Sequence, residues 1–163
     1  DAIQAAILAV EVCAHYKKQG MDLYEGLLNI FEEYGYYLEG LQSLTLKGIE
    51  GAGQIQGILN QFRNAPPKHI AGKAVTIQED YQSGVKLNMG TNKEEVIDLP
   101  KSNVIKYFLE DGTWVCLRPS GTEPKIKFYF GVQGEKMESA ELKLKQVMNA
   151  LMEKINGIIN SAT

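Results

Sequence analysis

Apolar residues at the start of the chain recur at helical spacing. Ile3, Ala6, Ile7, Val10 and Ala14 share one face, while Leu8 and Val12 lie on a second. Asp1 followed by Gln4, and Asp22 followed by Glu25, have the form of N-caps with capping-box partners. The second precedes the stripe Leu23, Leu27, Ile30 and Phe31, and Gly35 is a natural stop. The first 35 residues therefore predict two helices. A helix apolar on more than one face expects neighbours on both sides, and 35 residues are too few to fold alone. The pair reads as the tail of a larger α/β domain.

The pattern changes at Tyr36. Tyr36 to Leu46 is rich in β-favouring residues and predicts a strand, with a break at Gly40 as an alternative. Ile55, Ile58, Leu59 and Phe62 make a helical stripe that ends at Asn64 and Pro66-Pro67. Ile70 to Asp80 predicts a second strand. Gly84 to Ser102 is polar and is either a loop or a weak strand pair. Val104 to Leu109 predicts a third strand that turns at Asp111-Gly112, a strong hairpin signal. Strands at Trp114 to Arg118 and Lys125 to Gly131 follow. A last helix runs from Met137 to Ile158, with Leu144, Val147, Leu151 and Ile155 inward. The order predicts an α+β fold, an antiparallel sheet with helices on one face.

Composition narrows the class. The 163 residues are 44% hydrophobic and 23% charged, as in soluble globular chains. No stretch approaches the roughly 20 apolar residues that span a bilayer, and no leader is visible. The chain opens on Asp1 inside a helix start, which predicts that it is cut from a longer protein. A net charge of −3 gives no general reason to expect nucleic acid. Cys13 and Cys116 sit far apart in apolar contexts and read as buried thiols of a cytoplasmic protein.

The chemistry concentrates between the last two strands, in Arg118, Pro119, Ser120, Gly121, Thr122, Glu123, Pro124 and Lys125. Gly121 can take a positive φ and let backbone N–H groups converge on an anion. Ser120 and Thr122 add hydroxyl donors. Arg118 offers a planar fork for two phosphate oxygens, and Lys125 a point charge. The two prolines stiffen the shoulders of the loop. Arg118, Lys125 and Lys127 against Glu123 leave a local charge of +2 in an acidic chain. The competing reading is a long hairpin loop, since Ser, Gly, Thr and Pro all form turns. Glu123 is either a carboxylate that orients Arg118 or Lys125 or a solvated loop charge. Ser120 has no base near it in sequence to make it a nucleophile.

Elsewhere the signals are weaker. His15, two residues after Cys13, faces another direction on a helix, so the two make no metal pair. His69 reads as a surface residue, and Asp80 and Asp111 as turn residues. Tyr34, Tyr36 and Tyr37 are a stacking platform or, better, packing at a domain junction. The charges of the last helix read as a solvated face.

The segment Arg118-Pro119-Ser120-Gly121-Thr122-Glu123-Pro124-Lys125 resembles the signature of the last domain of the α-D-phosphohexomutases, the phosphoglucomutase and phosphomannomutase family. Tyr34 to Tyr37, Thr45 to Gly48 and Ile58 to Arg63 resemble the stretch upstream of it in the long phosphoglucomutase and phosphopentomutase-like branch. The resemblance implies that residues 1–35 end a third, sugar-binding domain and that residues 36–163 form the fourth. It implies a relay in which a phosphoserine of the first domain phosphorylates a sugar monophosphate. The resulting sugar bisphosphate turns over and returns its other phosphoryl group. Mg²⁺ held by aspartates of the second domain assists the transfer. Arg118, Ser120, Gly121, Thr122 and Lys125 would grip the phosphate that is not reacting, with Glu123 beside them. The catalytic serine and the metal ligands would lie in preceding domains, leaving this part inactive alone. Its expected partners are the phosphosugar, the missing domains and, through the uncovered helices, another copy. The alternative is a stand-alone anion-binding module without catalysis.

Overall fold

A computed structural model describes residues 1–46 and 49–161. Helices α1 (Ala2–Lys18) and α2 (Leu23–Tyr34) come first, followed by β1 (Tyr36–Thr45) and α3 (Ile49–Asn64). Strands β2 (His69–Ile70), β3 (Lys73–Asp80), β4 (Val85–Asn88), β5 (Glu94–Val96), β6 (Ile105–Leu109), β7 (Trp114–Pro119) and β8 (Lys125–Gly134) precede α4 (Met137–Ser161). The sheet runs β1-β8-β7-β6-β3-β4-β5, with β2 paired to β3, and its ladders are antiparallel. Of the upstream segment Thr45 to Gly48, Lys47 and Gly48 lie outside the described residues.

Strand alternation builds the core. Val115 and Leu117 of β7, Ile126, Phe128 and Phe130 of β8, and Ile105, Tyr107 and Leu109 of β6 point to one face. There they meet Ile55, Ile58, Leu59 and Phe62 of α3 and Val147, Leu151 and Ile155 of α4. The Tyr107 hydroxyl spends its polarity inside this core by donating to the Phe62 carbonyl at 2.8 Å. Thus the α+β architecture with helices on one face is present as the sequence predicts.

Several elements depart from the sequence reading. β1 is not broken at Gly40, which pairs with Phe130. A Cβ there would lie 2.9 Å from Leu144 Cδ1, so the glycine admits α4 against the sheet rather than ending the strand. The segment expected as one strand from Ile70 is two, folded at Ala71 and Gly72, both with positive φ. That two-residue turn has the twist of a hairpin, although Ala-Gly is a weak signal for one. Residues 84–102 contain the strand pair β4–β5, the second of the two alternatives. Asn88 Oδ1 accepts from the N–H groups of Gly90 and Thr91 and closes its turn. β8 runs three residues further than expected, because Val132 is buried and pairs with Leu38.

The helical pair stands apart from this core. α1 buries none of its residues, and Ile3, Ile7, Leu8 and Val10 are exposed. In α2 only Gly26 is buried, under the Tyr16 ring. The Asp22 capping box forms, with Asp22 accepting from the Glu25 N–H and Glu25 from the Asp22 N–H, both at 2.8 Å. Asp1 caps through the Ile3 N–H instead. Cys13 is exposed, against expectation, because no layer among the described residues covers α1; Cys116 is half-buried, and burial pushes its thiol up. Tyr36 stacks on Phe31 at the junction, whereas Tyr34 and Tyr37 stay exposed. No described helix is long and apolar enough to cross a membrane.

Candidate functional site

β7 and β8 pair up to Pro119 and Ile126, and the chain between them forms a short loop at the end of the sheet. Its base is tied by the Ser120 N–H to the Lys125 carbonyl and by the Lys125 N–H to the Glu123 carbonyl, both at 2.7 Å. β1 braces it from outside, where the Leu46 N–H donates to the Pro124 carbonyl at 3.0 Å. Thr122 N–H reaches Ser120 Oγ only at 3.4 Å. The N–H groups of Gly121 and Glu123 have no partner among the described residues. The loop therefore offers open backbone donors beside two hydroxyls.

Gly121 does not adopt a positive φ, so the left-handed turn expected of it is absent. A Cβ built there would meet no atom within 4 Å. What glycine supplies here is an unobstructed approach to the backbone, not a turn geometry.

Ser120, Gly121, Thr122 and Glu123 line a cleft of about 410 Å³ together with Ala52, Ile55 and Gln56 of α3 and with Asn103. Arg118 and Lys125 do not line it. Arg118 is the last residue but one of β7, with its side chain on the sheet face away from the helices, as alternation with the buried Leu117 requires. Lys127 sits directly opposite it in register, and Lys125 lies two residues along on the same face. Ser120 to Glu123 thus line the cleft beside α3, and the cations lie on the other flank of the loop. Sequence spacing alone did not separate them. Glu123 is exposed and forms no ion pair with Arg118 or Lys125 among the described residues, which fits a solvated loop charge.

Two further features escaped the sequence reading. On the open sheet face, Lys106 Nζ lies 4.6 Å from the Phe108 ring centre and 4.7 Å from that of Trp114. Behind the cleft, Arg63 Nε meets Asp80 Oδ1 at 3.1 Å, and Arg63 Nη2 donates to Asn103 Oδ1. Asp80 is a turn residue, accepting from the Gln82 N–H, but it is also an ion-pair partner. Asp111 likewise caps its turn through the Thr113 N–H and pairs with Lys143 at 3.2 Å. Among the described residues no three His, Cys, Asp or Glu side chains converge to hold a metal.

Burial alone would raise the pKa of Asp80, yet the hydrogen bond from Arg63, helped by Ser83 and Gln82, holds it below its ordinary value. A carboxylate depressed in this way stabilises the fold fully above its unfolded pKa of about 4 and loses that effect as pH falls through the lower folded value. Asp80→Asn is accordingly expected to cost roughly 1–3 kcal/mol at pH 7, between exposed and fully buried pairs. The difference should shrink below pH 4. Urea midpoints of both forms at pH 7 and pH 3 check this; an equal gap at both would refute it.

Residues 70–147 match the family model described as phosphoglucomutase/phosphomannomutase, C-terminal domain. A phosphoglucomutase of Staphylococcus epidermidis is 39% identical over 129 residues, which are 79% of this chain and 23% of that protein. One from Staphylococcus aureus is 34% identical over 148 residues, 91% of this chain and 27% of that protein. The chain thus spans about a quarter of the length of these relatives. In structure it is similar to the exocytosis-sensitive phosphoprotein pp63/parafusin, a phosphoglucomutase from Paramecium, in its open form. That match has a TM-score of 0.60 at 16% identity and covers 98% of this chain and 27% of that one. A β-sheet domain with this loop, a family model matched through its centre and relatives this similar agree: the chain belongs to the phosphoglucomutase/phosphomannomutase family and carries the C-terminal domain of its members.

Proposed function

We propose that the loop from Arg118 to Lys125 grips the phosphate group of a sugar monophosphate that is not reacting. The whole protein would interconvert sugar 1-phosphate and 6-phosphate, with glucose the favoured sugar. The observation that carries this reading is the loop itself, with unpartnered N–H groups at Gly121 and Glu123 beside the Ser120 and Thr122 hydroxyls. Arg118 and Lys125 would close on the anion from the flank. The role is positioning, because holding the remote phosphate fixes the reacting end against its partner.

On this reading residues 1–35 belong to a sugar-binding domain and residues 36–163 to the phosphate-binding one, in a cytoplasmic enzyme. The nucleophilic serine and Mg²⁺ reside in the remainder of the protein, and a sugar bisphosphate is the intermediate. The chain of 163 residues alone is then inactive as a mutase. The exposed apolar residues of α1 and α2 would drive contact with those missing domains or with another copy.

Titrating inorganic phosphate into the labelled chain tests the loop. A few charge-assisted hydrogen bonds set against the cost of association give a Kd of roughly 1 mM. Binding should tighten as pH rises through about 6, where a phosphate monoester gains its second charge. Amide shifts confined to residues outside 118–125 would overturn the reading.

A further inference from the structure

Asn103 stands in the short segment before β6, and its backbone is pinned on both sides. The Tyr81 N–H donates to the Val104 carbonyl at 3.0 Å, and the Ser102 N–H to the Tyr81 carbonyl at 3.2 Å. Asn103 lines the same cleft as Ser120, Gly121 and Thr122. Which end of the amide meets Arg63 is decided by chemistry. A guanidinium only donates, so the Asn103 oxygen must turn to Arg63 and the NH₂ group must turn away from it. No partner holds that NH₂ group among the described residues.

Arg63 is itself fixed. Its side chain is 13% exposed, and its Nε is paired to Asp80, which is 15% exposed. A charged donor on the amide oxygen polarises the amide and strengthens its N–H groups as donors. The chain Asp80, Arg63, Asn103 thus ends in an open, oriented donor at a cleft where Glu123 is the charged residue of the lining.

We infer that Asn103 is a further phosphate-binding donor of this site and that Arg63 is the residue that positions it. The inference rests on the phosphate reading of the loop, from which the test must separate it. The labelled chain is titrated with inorganic phosphate at pH 7.5, following the backbone amides of Gly121 and Glu123 and the side-chain NH₂ of Asn103. All three should move with a single Kd. Asn103→Ala should raise that Kd about 3- to 10-fold, as the loss of one hydrogen bond to an anion does. Asn103→Asp should raise it further, by setting a carboxylate against the phosphate. Arg63→Ala should weaken binding as Asn103→Ala does, and Arg63→Lys less, since an ammonium can still donate to the amide oxygen.

If the loop amides respond but Asn103 stays still at saturation, or Asn103→Ala binds as tightly as the parent, the inference falls and the loop reading stands. The first of these needs no variant to fold. If neither the loop nor Asn103 responds, both fall.

Discussion

Arg118→Ala is expected to leave the fold intact and remove most of the grip on phosphate. The side chain is exposed at the end of β7, on the sheet face away from the core, so truncation opens no cavity. What is lost is a planar fork for two anionic oxygens at the loop tip. If the whole protein is the mutase proposed above, this should lower its kcat/KM by about 30- to 1,000-fold, the equivalent of roughly 2–4 kcal/mol. Arg118→Lys should recover only part, because a point charge cannot replace two parallel hydrogen bonds. Steady-state kinetics with glucose 1-phosphate, alongside urea midpoints, check both halves. Near-normal turnover of Arg118→Ala with abolished turnover of Ser120→Ala would show that the loop does more than hold.

Phe128→Ala should have the opposite signature, with a large loss of stability and no direct effect on the loop's donors. Phe128 is fully buried at the centre of β8, between Gln42 of β1 and Leu117 of β7. Removing the ring costs its transfer energy and leaves a cavity that a close-packed layer fills poorly, about 3–5 kcal/mol. Against a total stability of roughly 5–15 kcal/mol that is a large share. The melting temperature should fall by about 6–20 °C for a chain of this size. Ile7→Ala, on the exposed face of α1, is a matched control that should stay within about 0.5 kcal/mol. Calorimetry on both variants decides it: comparable losses would mean that α1 is covered and that the core does not carry the stability.

Periodicity located most elements because burial follows it. The stripe Ile55, Ile58, Leu59 and Phe62 and the alternation through Ile126, Phe128 and Phe130 are buried as read. Reading failed where a residue serves a contact distant in sequence. Gly40 looks like a strand breaker until α4 lies on it. Ala71-Gly72 looks like strand interior until β2 folds back. Cys13 looks like core because its neighbours are apolar, yet α1 buries nothing.

At the site, residue types were legible and their placement was not. Ser120, Gly121, Thr122 and Glu123 line the cleft, and the N–H groups of Gly121 and Glu123 are open among the described residues. Arg118 and Lys125 fall on the other flank, because pleat alternation assigns them there whatever their chemistry. Gly121 was assigned a conformation that it does not adopt. Arg63, Asp80 and Asn103 are separated by 17 and 40 residues in their contacts, a reach that no local pattern encodes.

The bracing of the loop by β1 has a mechanical meaning. One end of that strand follows α2 through Gly35; the other, through Leu46, clasps Pro124. Between them ten residues pair with β8 without interruption, a stiff beam of about 30 Å. A beam converts angle into travel. Should the helical pair stay anchored while the sheet pivots near Gly35 by about 10°, the loop tip sweeps about 5 Å. On the proposed phosphate reading, a modest swing at the junction would then move these donors towards the anion or away from it without any loop needing to refold.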